Sequence, residues 1–259
     1  MRISIIGAGR VAHHLAHVLS KQHSIIQIYS RSIDKAQALA LAVDAQAIQQ
    51  LEALNQSVDL ILIAVSDQAI QSVIQQLHMF APNVLIAHTS GSTHVDVLCQ
   101  YHQRAGVFYP LQTFSFEREI DWQNTPLFIE TKQAEDLKTL ETLANEISQR
   151  VYCYSSEQRL SLHLAAVFAC NFSNYCYDMA KQVVDAQSVD FSLLFPLIET
   201  TAKKALQADP KEMQTGPAMR GDKNIIQMHQ TLLQQANRKD LAEVYAMLSG
   251  QILKRHCFE

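Results

Sequence analysis

The sequence predicts a doubly wound parallel α/β sheet followed by a smaller all-helical domain. Up to residue 154, short runs of β-branched and other apolar residues alternate with segments of helical periodicity. This alternation is typical of a parallel sheet with helices on both faces. Beyond Glu157 the strand pattern almost disappears and long helical stretches take over. We therefore expect two domains, residues 1–154 and residues 155–259.

The predicted strands are short and apolar. The strongest, DLILIAV at 59–65, is apolar at nearly every position, as expected of a central strand covered on both faces. Strands are expected at 2–6, 25–29, 59–65, 84–88, 106–109, 127–130 and 151–154. Helices are expected at 10–22, 33–43, 67–78, 93–103 and 133–149, and then at 156–186, 190–207, 222–236 and 238–255. Ser32 is a candidate N-cap, and Pro196 is expected to interrupt its helix.

Composition places the chain among ordinary globular proteins. Its 259 residues are 48% hydrophobic and 18% charged, which is enough to build a core without disulfides or structural metals. The formal net charge of -4 argues against nucleic-acid and anionic-membrane binding. No apolar run reaches the ~18 residues of a membrane helix, and the run at 3–6 is too short for a signal peptide. We expect a cytoplasmic protein.

The cysteines and histidines give no sign of a metal site. The five cysteines are Cys99, Cys153, Cys170, Cys176 and Cys257, and no two of them form a CxxC pair. The 11 histidines show no metal-ligand spacing either. We expect reduced thiols and no bound metal.

A glycine-rich turn follows the first strand. Residues 7–12 read GAGRVA, the G-x-G-x-x-A form of the dinucleotide-binding fingerprint of Rossmann folds. The first glycine permits the tight turn, the second lets the backbone approach a diphosphate, and Ala12 lets helix and strand pack closely. Exposed N–H groups and the helix dipole would hold the phosphates. The candidate cofactor-binding residues are Gly7, Ala8, Gly9, Arg10 and Val11; the alternative is a glycine turn without a ligand.

The end of the second strand indicates which dinucleotide binds. NAD-binding domains place an Asp or Glu about 20 residues beyond the glycines to accept the ribose hydroxyls. This chain has Ser30, Arg31 and Ser32 there, and Asp34 comes only inside the following helix. A guanidinium between two hydroxyls suits a 2′-phosphate, so we expect NADP(H). The alternative is a solvent-exposed arginine. The lack of an acid also argues against a methyltransferase, whose S-adenosylmethionine ribose favours one.

Small residues end the strand at 59–65. Ligands of a doubly wound sheet lie beyond the carboxyl ends of its strands. Ala64, Val65 and Ser66 would leave room there for the ribose and nicotinamide of the cofactor. Asp67 is expected to cap or open the following helix rather than to act in catalysis.

The next strand ends in HTSGS, residues 88–92. Ser90 would lie at the rim of the sheet, where its hydroxyl could bind a substrate oxygen. Ser92 and Thr93 are equally suited to cap the next helix.

The sequence YPLQT at 109–113 leaves a strand over the same region. One interpretation places Gln112 and Thr113 in a substrate pocket. The other is a strand stopped by Pro110 with buried aromatic residues, and the sequence favours neither.

The first long helix of the second domain has a polar and an apolar side. At 100° per residue, His163, Asn171, Asn174 and Asp178 share one side, and Leu164, Phe168, Phe172, Tyr175 and Met179 form a stripe. His163 is a candidate general acid, because histidine ordinarily titrates at about pH 6.5. Asn171 and Asn174 are candidate ligands of a substrate carbonyl or carboxylate. The alternative is a solvated polar face.

A loop with two glycines and a proline spans 215–222 (TGPAMRGD). Arg220 could bind an anionic substrate. Equally, Arg220 and Asp222 could form a structural ion pair, with Asp222 capping the next helix.

Five of these motifs together resemble one protein family. They are GAGRVA (7–12), HTSGS (88–92), YPLQTFS (109–115), HLAAVFACNFSNY (163–175) and TGPAMRGD (215–222). The chain is similar to Rossmann-like proteins with a C-terminal helical domain of unknown function, which are described as NADP oxidoreductases. Their architecture is similar to that of pyrroline-5-carboxylate reductase, ketopantoate reductase, and the 6-phosphogluconate and 3-hydroxyacid dehydrogenases. The resemblance implies NADP(H) binding and a homodimer built through the helical domain.

The chain departs from the hydroxyacid dehydrogenases at one position. Those enzymes carry a catalytic Lys, with an Asn four residues on, in the first long helix of the second domain. Here that helix has no lysine before Lys181, and His163, Asn171 and Asn174 occupy the comparable region.

The leading hypothesis is an NADP(H)-dependent reductase or dehydrogenase for a small carbonyl, hydroxyl or imine substrate. Hydride would pass between nicotinamide and substrate in the cleft between the domains. His163 would be the proton donor, Ser90 and Asn171 would orient the substrate, and Arg220 would hold an anionic group. The alternative is a non-catalytic NADP(H)-binding sensor or scaffold.

Overall fold

The computed structural model describes residues 1–257, without the side chain of Cys257. The prediction of a reduced thiol at Cys257 lies outside the described residues. The chain divides into two compact units, Met1–Ala169 and the residues from Cys170 onward. The predicted domain boundary at residue 154 stays a prediction.

The first unit is built on one eight-stranded sheet with the order β3-β2-β1-β4-β5-β6-β7-β8. The strands are β1 Arg2–Ile6, β2 Ser24–Tyr29, β3 Gln46–Ile48, β4 Leu60–Ile63, β5 Leu85–His88, β6 Ala105–Pro110, β7 Leu127–Thr131 and β8 Val151–Cys153. Strands β1 to β6 pair in parallel, β7 is antiparallel to β6, and β8 is parallel to β7. This order confirms the predicted doubly wound Rossmann sheet. The antiparallel pairing of β6 with β7 was not predicted.

Helices cover both faces of this sheet. They are α1 Arg10–Leu19, α2 Ile33–Ala42, α3 Asp67–Phe80, α4 Asp96–Cys99, α5 Ala134–Ile147 and α6 Ser156–Ala166, with a 3₁₀ turn at Leu51–Ala53. Because successive strand residues point to opposite faces, Leu60 and Leu62 of β4 pack with α1 and α2, whereas Ile61 and Ile63 pack with α3. All four β4 residues are fully buried, which explains the uninterrupted apolar run.

The described part of the second unit contains helices and no strands, as predicted. A π-helical segment, Val167–Phe172, precedes α7 Ser173–Asp185, and a 3₁₀ turn at Phe191–Leu194 precedes α8 Phe195–Gln207. The remaining helices are α9 Pro217–Arg220, α10 Lys223–Gln235 and α11 Lys239–Cys257. Pro196 lies in the first turn of α8, where its missing N–H breaks no helical hydrogen bond.

The structure differs from the predicted elements in several places, among them a short helix, α9, within the predicted loop at 215–222. Strand β3 was not predicted, because the three-residue edge segment QAI has no apolar run. Helix α4 covers four residues instead of the expected 93–103. The helix expected at 156–186 contains the π segment, in which the assumption of 100° per residue does not hold. The helical-wheel angles used to group Asn171, Asn174 and Asp178 with His163 therefore do not apply beyond Ala166, and the grouping stays a prediction.

Candidate functional site

A cavity of about 910 Å³ opens at the carboxyl ends of β1, β2 and β4. Every predicted cofactor-binding residue except Ser32 lines it: Gly7, Ala8, Gly9, Arg10, Val11, Ser30, Arg31, Ala64, Val65 and Ser66. Strand β1 lies between β2 and β4, so the cavity opens where the strand order reverses. This switch point is where doubly wound sheets bind their ligands.

The glycine turn fits a closely approaching ligand. Gly7 has a φ of +127°, and a Cβ there would lie 2.2 Å from the carbonyl oxygen of Ala64, so only glycine is accommodated. At Gly9, the N-cap of α1, a Cβ would meet no atom within 4 Å, so the backbone faces open space. The first turn of α1 holds no acidic residue. The turn and the helix end are thus suited to a diphosphate.

Three cationic side chains line the cavity: Arg10, Arg31 and Lys35. No Asp or Glu is found among the described lining residues. Lys35 was missed by the sequence reasoning, although its place in the first turn of the helix after Arg31 was a usable signal. Ser32 is the N-cap residue of α2, as predicted, but its side chain makes no capping hydrogen bond. The charge pattern suits a cofactor with several phosphates.

A second cluster joins Tyr109, the fifth residue of β6, to His163 of α6. The Tyr109 hydroxyl lies 3.2 Å from Nδ1 of His163, within hydrogen-bond distance. Gly91 packs against both groups: a Cβ there would lie 2.6 Å from Cζ of Tyr109 and 2.7 Å from Nδ1 of His163. Any larger residue at position 91 would displace this pair. Sequence reasoning missed Tyr109 as a site residue, because the two partners are far apart in the chain.

The environment keeps the Tyr109 phenol neutral. Burial raises its pKa to about 12; the positive charge of Arg159 opposes this rise and the negative charge of Asp67 adds to it. A neutral phenol can donate to an unprotonated Nδ1 or accept from a protonated one. The hydrogen bond to His163 therefore survives a change in the protonation of the imidazole.

Ser90 shapes the turn that carries Gly91. The residue is 7% exposed, and its Oγ accepts the N–H groups of Ser92 at 3.1 Å and Thr93 at 2.9 Å. The expectation that Ser92 or Thr93 caps the next helix is wrong, because α4 begins only after Val95. The backbone at 90–93 is instead tied to the Ser90 side chain.

Two neighbouring side chains brace this turn. His88 is fully buried and its Nδ1 accepts the N–H of Ser90 at 3.2 Å. Burial, with the positive charges of Arg159 and His94, lowers the pKa of His88 to about 3, so its ring is neutral at pH 7. Asp67 opens α3, as expected of a first-turn acid, and also accepts a short hydrogen bond from the Ser92 hydroxyl.

A buried ion pair fixes α6 to the sheet. Arg159, 1% exposed, donates from Nη1 to Glu130 of β7 at 2.5 Å and from Nη2 to the carbonyl of Thr93 at 2.5 Å. Ser156 donates its hydroxyl to Glu130 at 2.7 Å. Arg159 lies one helical turn before His163, so this pair holds the His163 segment of α6 against both β7 and the Ser90 turn.

The other predicted substrate-binding residues are exposed. Gln112 is exposed, and its side-chain oxygen Oε1 accepts the backbone N–H of Thr113 at 2.8 Å. Asn171 and Asn174 are exposed, and Arg220 is exposed at the end of α9. Asp222 caps α10 by accepting the N–H of Ile225 at 3.3 Å. The substrate-binding roles of Gln112, Asn171, Asn174 and Arg220 stay predictions.

Neither metal-binding clusters nor spanning helices occur in the described residues. Among the described side chains, those of residues 1–256, no group of three or more His, Cys, Asp or Glu is arranged to hold a metal ion. Within the same range, no helix combines the length and apolarity needed to cross a membrane.

The fold and the cavity are those of a dinucleotide-binding Rossmann protein. Two family models match the chain: "NADP oxidoreductase coenzyme F420-dependent" over residues 2–91, and a domain of unknown function (DUF2520) over residues 125–252. A candidate NADP oxidoreductase from Bacteroides fragilis is 38% identical, with 98% of each chain covered and a TM-score of 0.91. The chain belongs to this family of NADP oxidoreductases with a C-terminal helical domain of unknown function.

More distant structures share the fold. A Thermotoga maritima protein is 21% identical over 98% of both chains, with a TM-score of 0.71. An imine reductase from Myxococcus stipitatus in complex with NADP⁺ is 14% identical over 99% of this chain and 100% of its own, with a TM-score of 0.75. A comparison with curated proteins gives no match.

Proposed function

We propose that the protein is an NADP(H)-dependent oxidoreductase that moves hydride between nicotinamide and a small carbonyl, hydroxyl or imine compound. The observation that carries this proposal is the set Arg10, Arg31 and Lys35 around a cavity whose described lining holds no carboxylate. An NAD site would place an Asp or Glu at the end of β2. The Myxococcus stipitatus imine reductase, solved with NADP⁺, shares the fold and supports this choice of cofactor.

The residues present fit this cofactor. Gly7, Gly9 and the N–H groups of α1 would hold the diphosphate, and Ser30, Arg31 and Lys35 the 2′-phosphate. The small residues Ala64 to Ser66 leave room for the ribose and nicotinamide. When bound, the nicotinamide supplies or accepts the hydride.

His163 is the proposed proton donor, and Tyr109 its positioning partner. The 3.2 Å contact engages Nδ1 with the phenol and leaves Nε2 as the ring nitrogen for a substrate. In reduction, a protonated His163 would donate from Nε2 while its Nδ1–H donates to the phenol oxygen. After the transfer the imidazole is neutral, keeps its Nδ1–H, and stays hydrogen-bonded to the phenol oxygen. Ser90 acts by shaping the Gly91 turn, and Asn171, Asn174, Gln112 and Arg220 remain proposed substrate ligands.

A binding titration tests the cofactor assignment. Arg31→Ala and Lys35→Ala should each weaken NADPH binding about 10- to 150-fold, the range for one charged hydrogen bond of about 1.5–3 kcal/mol. NADH lacks the 2′-phosphate, so its affinity should stay unchanged. Lys138→Ala, exposed on α5, is the matched control. The NADP(H) assignment would be overturned if the wild type bound NADPH and NADH equally well, or if it bound neither.

A substrate screen tests catalysis. NADPH oxidation is followed at about pH 7 with a panel of small carbonyl and imine compounds. His163→Ala should lower any turnover found by about 10²–10⁴-fold, the usual contribution of a general acid. His229→Ala is the control, because His229 makes a similar bond to Tyr245 at 2.9 Å in the second unit. Full activity of His163→Ala would remove His163 from the mechanism.

The helical unit is the proposed interface of a homodimer. Of its described hydrophobic side chains, only Ala218 and Leu241 are buried, whereas Leu206 and Leu232 are 87% and 55% exposed. A helical unit with so small a core resembles half of an obligate dimer core. A second copy offers the same apolar faces, and such pairing closes with two-fold symmetry.

Sedimentation tests the dimer. The wild type should sediment at twice the chain mass of 29.1 kDa. Leu232→Glu should favour the monomer, whereas Leu41→Glu, at a position 86% exposed in the first unit, should not. A monomeric wild type at micromolar concentration would contradict the proposal.

A further inference from the structure

A segment between β6 and β7 packs onto the helix that opens the cofactor cavity. We call residues 111–116 the α1 strap. The Ser115 carbonyl accepts a hydrogen bond from Nε2 of His14 at 2.6 Å, and His14 is only 8% exposed. The ring of Phe114 lies 5.5 Å from that of His14, and the ring of Phe116 meets His13 edge-on at 5.4 Å. The strap is therefore fixed on α1 at two successive histidines.

The strap ends at the rim of the cavity, against Arg10. The guanidinium carbon of Arg10 lies 5.8 Å from the centroid of the Phe116 ring, within cation–π distance. Both residues line the cavity, and Phe116 is 51% exposed. Arg10 directly follows Gly9, at the N-terminus of α1. A guanidinium held over an aromatic ring can still point the N–H donors of its own plane at an anion.

We propose that Phe116 positions Arg10 on the diphosphate of the bound dinucleotide, so that the α1 strap is part of the cofactor site. This inference rests on the proposed function. The diphosphate is the group expected at the glycine turn and the N-terminus of α1, whereas Arg31 and Lys35 stand at β2 and α2. Arg10 therefore acts on a group that NADH and NADPH share.

The strap also connects the two candidate sites. It begins two residues after Tyr109, whose hydroxyl contacts His163, and ends at Phe116 beside Arg10. A residue that anchors the cofactor phosphates is thus joined, through one short segment, to the residue that orients the proposed acid. Loss of the Phe116 ring should weaken cofactor binding and leave the Tyr109–His163 hydrogen bond unchanged.

The chain provides its own probe for the test. Trp122, the only tryptophan, lies just beyond the strap, with its ring 6.1 Å from that of Phe114. Its emission overlaps the absorption of reduced nicotinamide, so energy transfer from Trp122 reports binding of both NADPH and NADH. Thermal unfolding of each variant shows whether it folds.

The proposal predicts a distinct pattern of affinities. Arg10→Ala should weaken NADPH and NADH alike, about tenfold. Phe116→Ala should weaken both about two- to fivefold, and Phe116→Tyr, which keeps the ring, should match the wild type. Arg31→Ala should weaken NADPH alone.

Two results would overturn the inference while leaving the proposed function intact. One is wild-type affinity of folded Phe116→Ala for both dinucleotides. The other is an Arg10→Ala variant that weakens NADPH but not NADH, which would place Arg10 on the 2′-phosphate. A wild type that binds neither dinucleotide would instead refute the proposed function itself.

Discussion

Replacing Arg159 by methionine tests the ion pair that fixes α6. Methionine keeps the apolar stem but removes the guanidinium, which donates to Glu130 and to the Thr93 carbonyl, each at 2.5 Å. Arg159 is 1% exposed and Glu130 is 17% exposed by side chain, so water cannot fully replace the lost partner. The variant leaves a largely buried carboxylate and a backbone carbonyl without this donor.

The structure sets the size of the effect. Breaking a buried ion pair by removing one partner costs about 3–5 kcal/mol. Glu130 keeps two hydrogen bonds, from the Ser156 hydroxyl at 2.7 Å and the Ser156 N–H at 3.1 Å, so we expect the lower part of that range, about 3–4 kcal/mol. For a unit of this size each kcal/mol lowers Tm by about 2–4 °C. Arg159→Met should therefore lower Tm by about 6–16 °C.

Circular dichroism melting at pH 7 measures the difference. Lys132→Ala is the matched control, because Lys132 pairs with Asp96 on the exposed surface of the same unit and should contribute about 0–1 kcal/mol. The double variant Arg159→Met/Glu130→Gln removes both charges and should recover part of the lost stability, since no unpaired charge remains buried. Arg159→Met melting within about 2 °C of the control, or a double variant no more stable than the single one, would refute the reasoning.

Three further predictions follow from the same unit. Gly91→Ala should lower turnover about 10²-fold and leave NADPH affinity unchanged, because the added Cβ would push Tyr109 and His163 apart. Wild-type turnover of Gly91→Ala would exclude a role for the Tyr109–His163 hydrogen bond in catalysis. The fold should lose stability as pH falls from about 6.5 toward 3, because the folded state holds His88 neutral with a lowered pKa. His88→Asn should flatten the plot of urea midpoint against pH over that range. An unchanged plot would contradict the lowered pKa of His88. The raised pKa of Tyr109 should place the midpoint of its ultraviolet titration near pH 12, and stability should fall as pH rises from about 10 toward 12. Tyr109→Phe should remove this step, and its persistence would show that another tyrosine is responsible.

The sheet could be predicted because most of its strands are short, continuous runs of apolar residues. Strand β4 is buried on both faces, so every residue of LILI is apolar and the pattern is unmistakable. Strand β3 was not predicted because it has only three residues, lies at the edge of the sheet, and depends on hydrogen bonds to β2. The π segment at Val167–Phe172 escaped as well, since helical periodicity assumes a constant turn.

The cofactor cavity was largely predictable, because the glycine turn and the end of β2 are contiguous motifs that meet at the switch point of any doubly wound sheet. Arg31 was found in this way. Phe116 was not, because it reaches the cavity through a loop packed on α1, and no local pattern records that packing.

The sequence by itself determined the Rossmann sheet, the helical second half and the phosphate-binding turn, since each depends on residues close together in the chain. Only the tertiary structure decided which partner His163 meets. Tyr109 and His163 lie on β6 and α6, 54 residues apart, and they touch because Arg159 fixes α6 on β7 and Gly91 leaves the space between them. Such a contact depends on how the sheet and helix pack, and packing is a property of the whole first unit rather than of any segment.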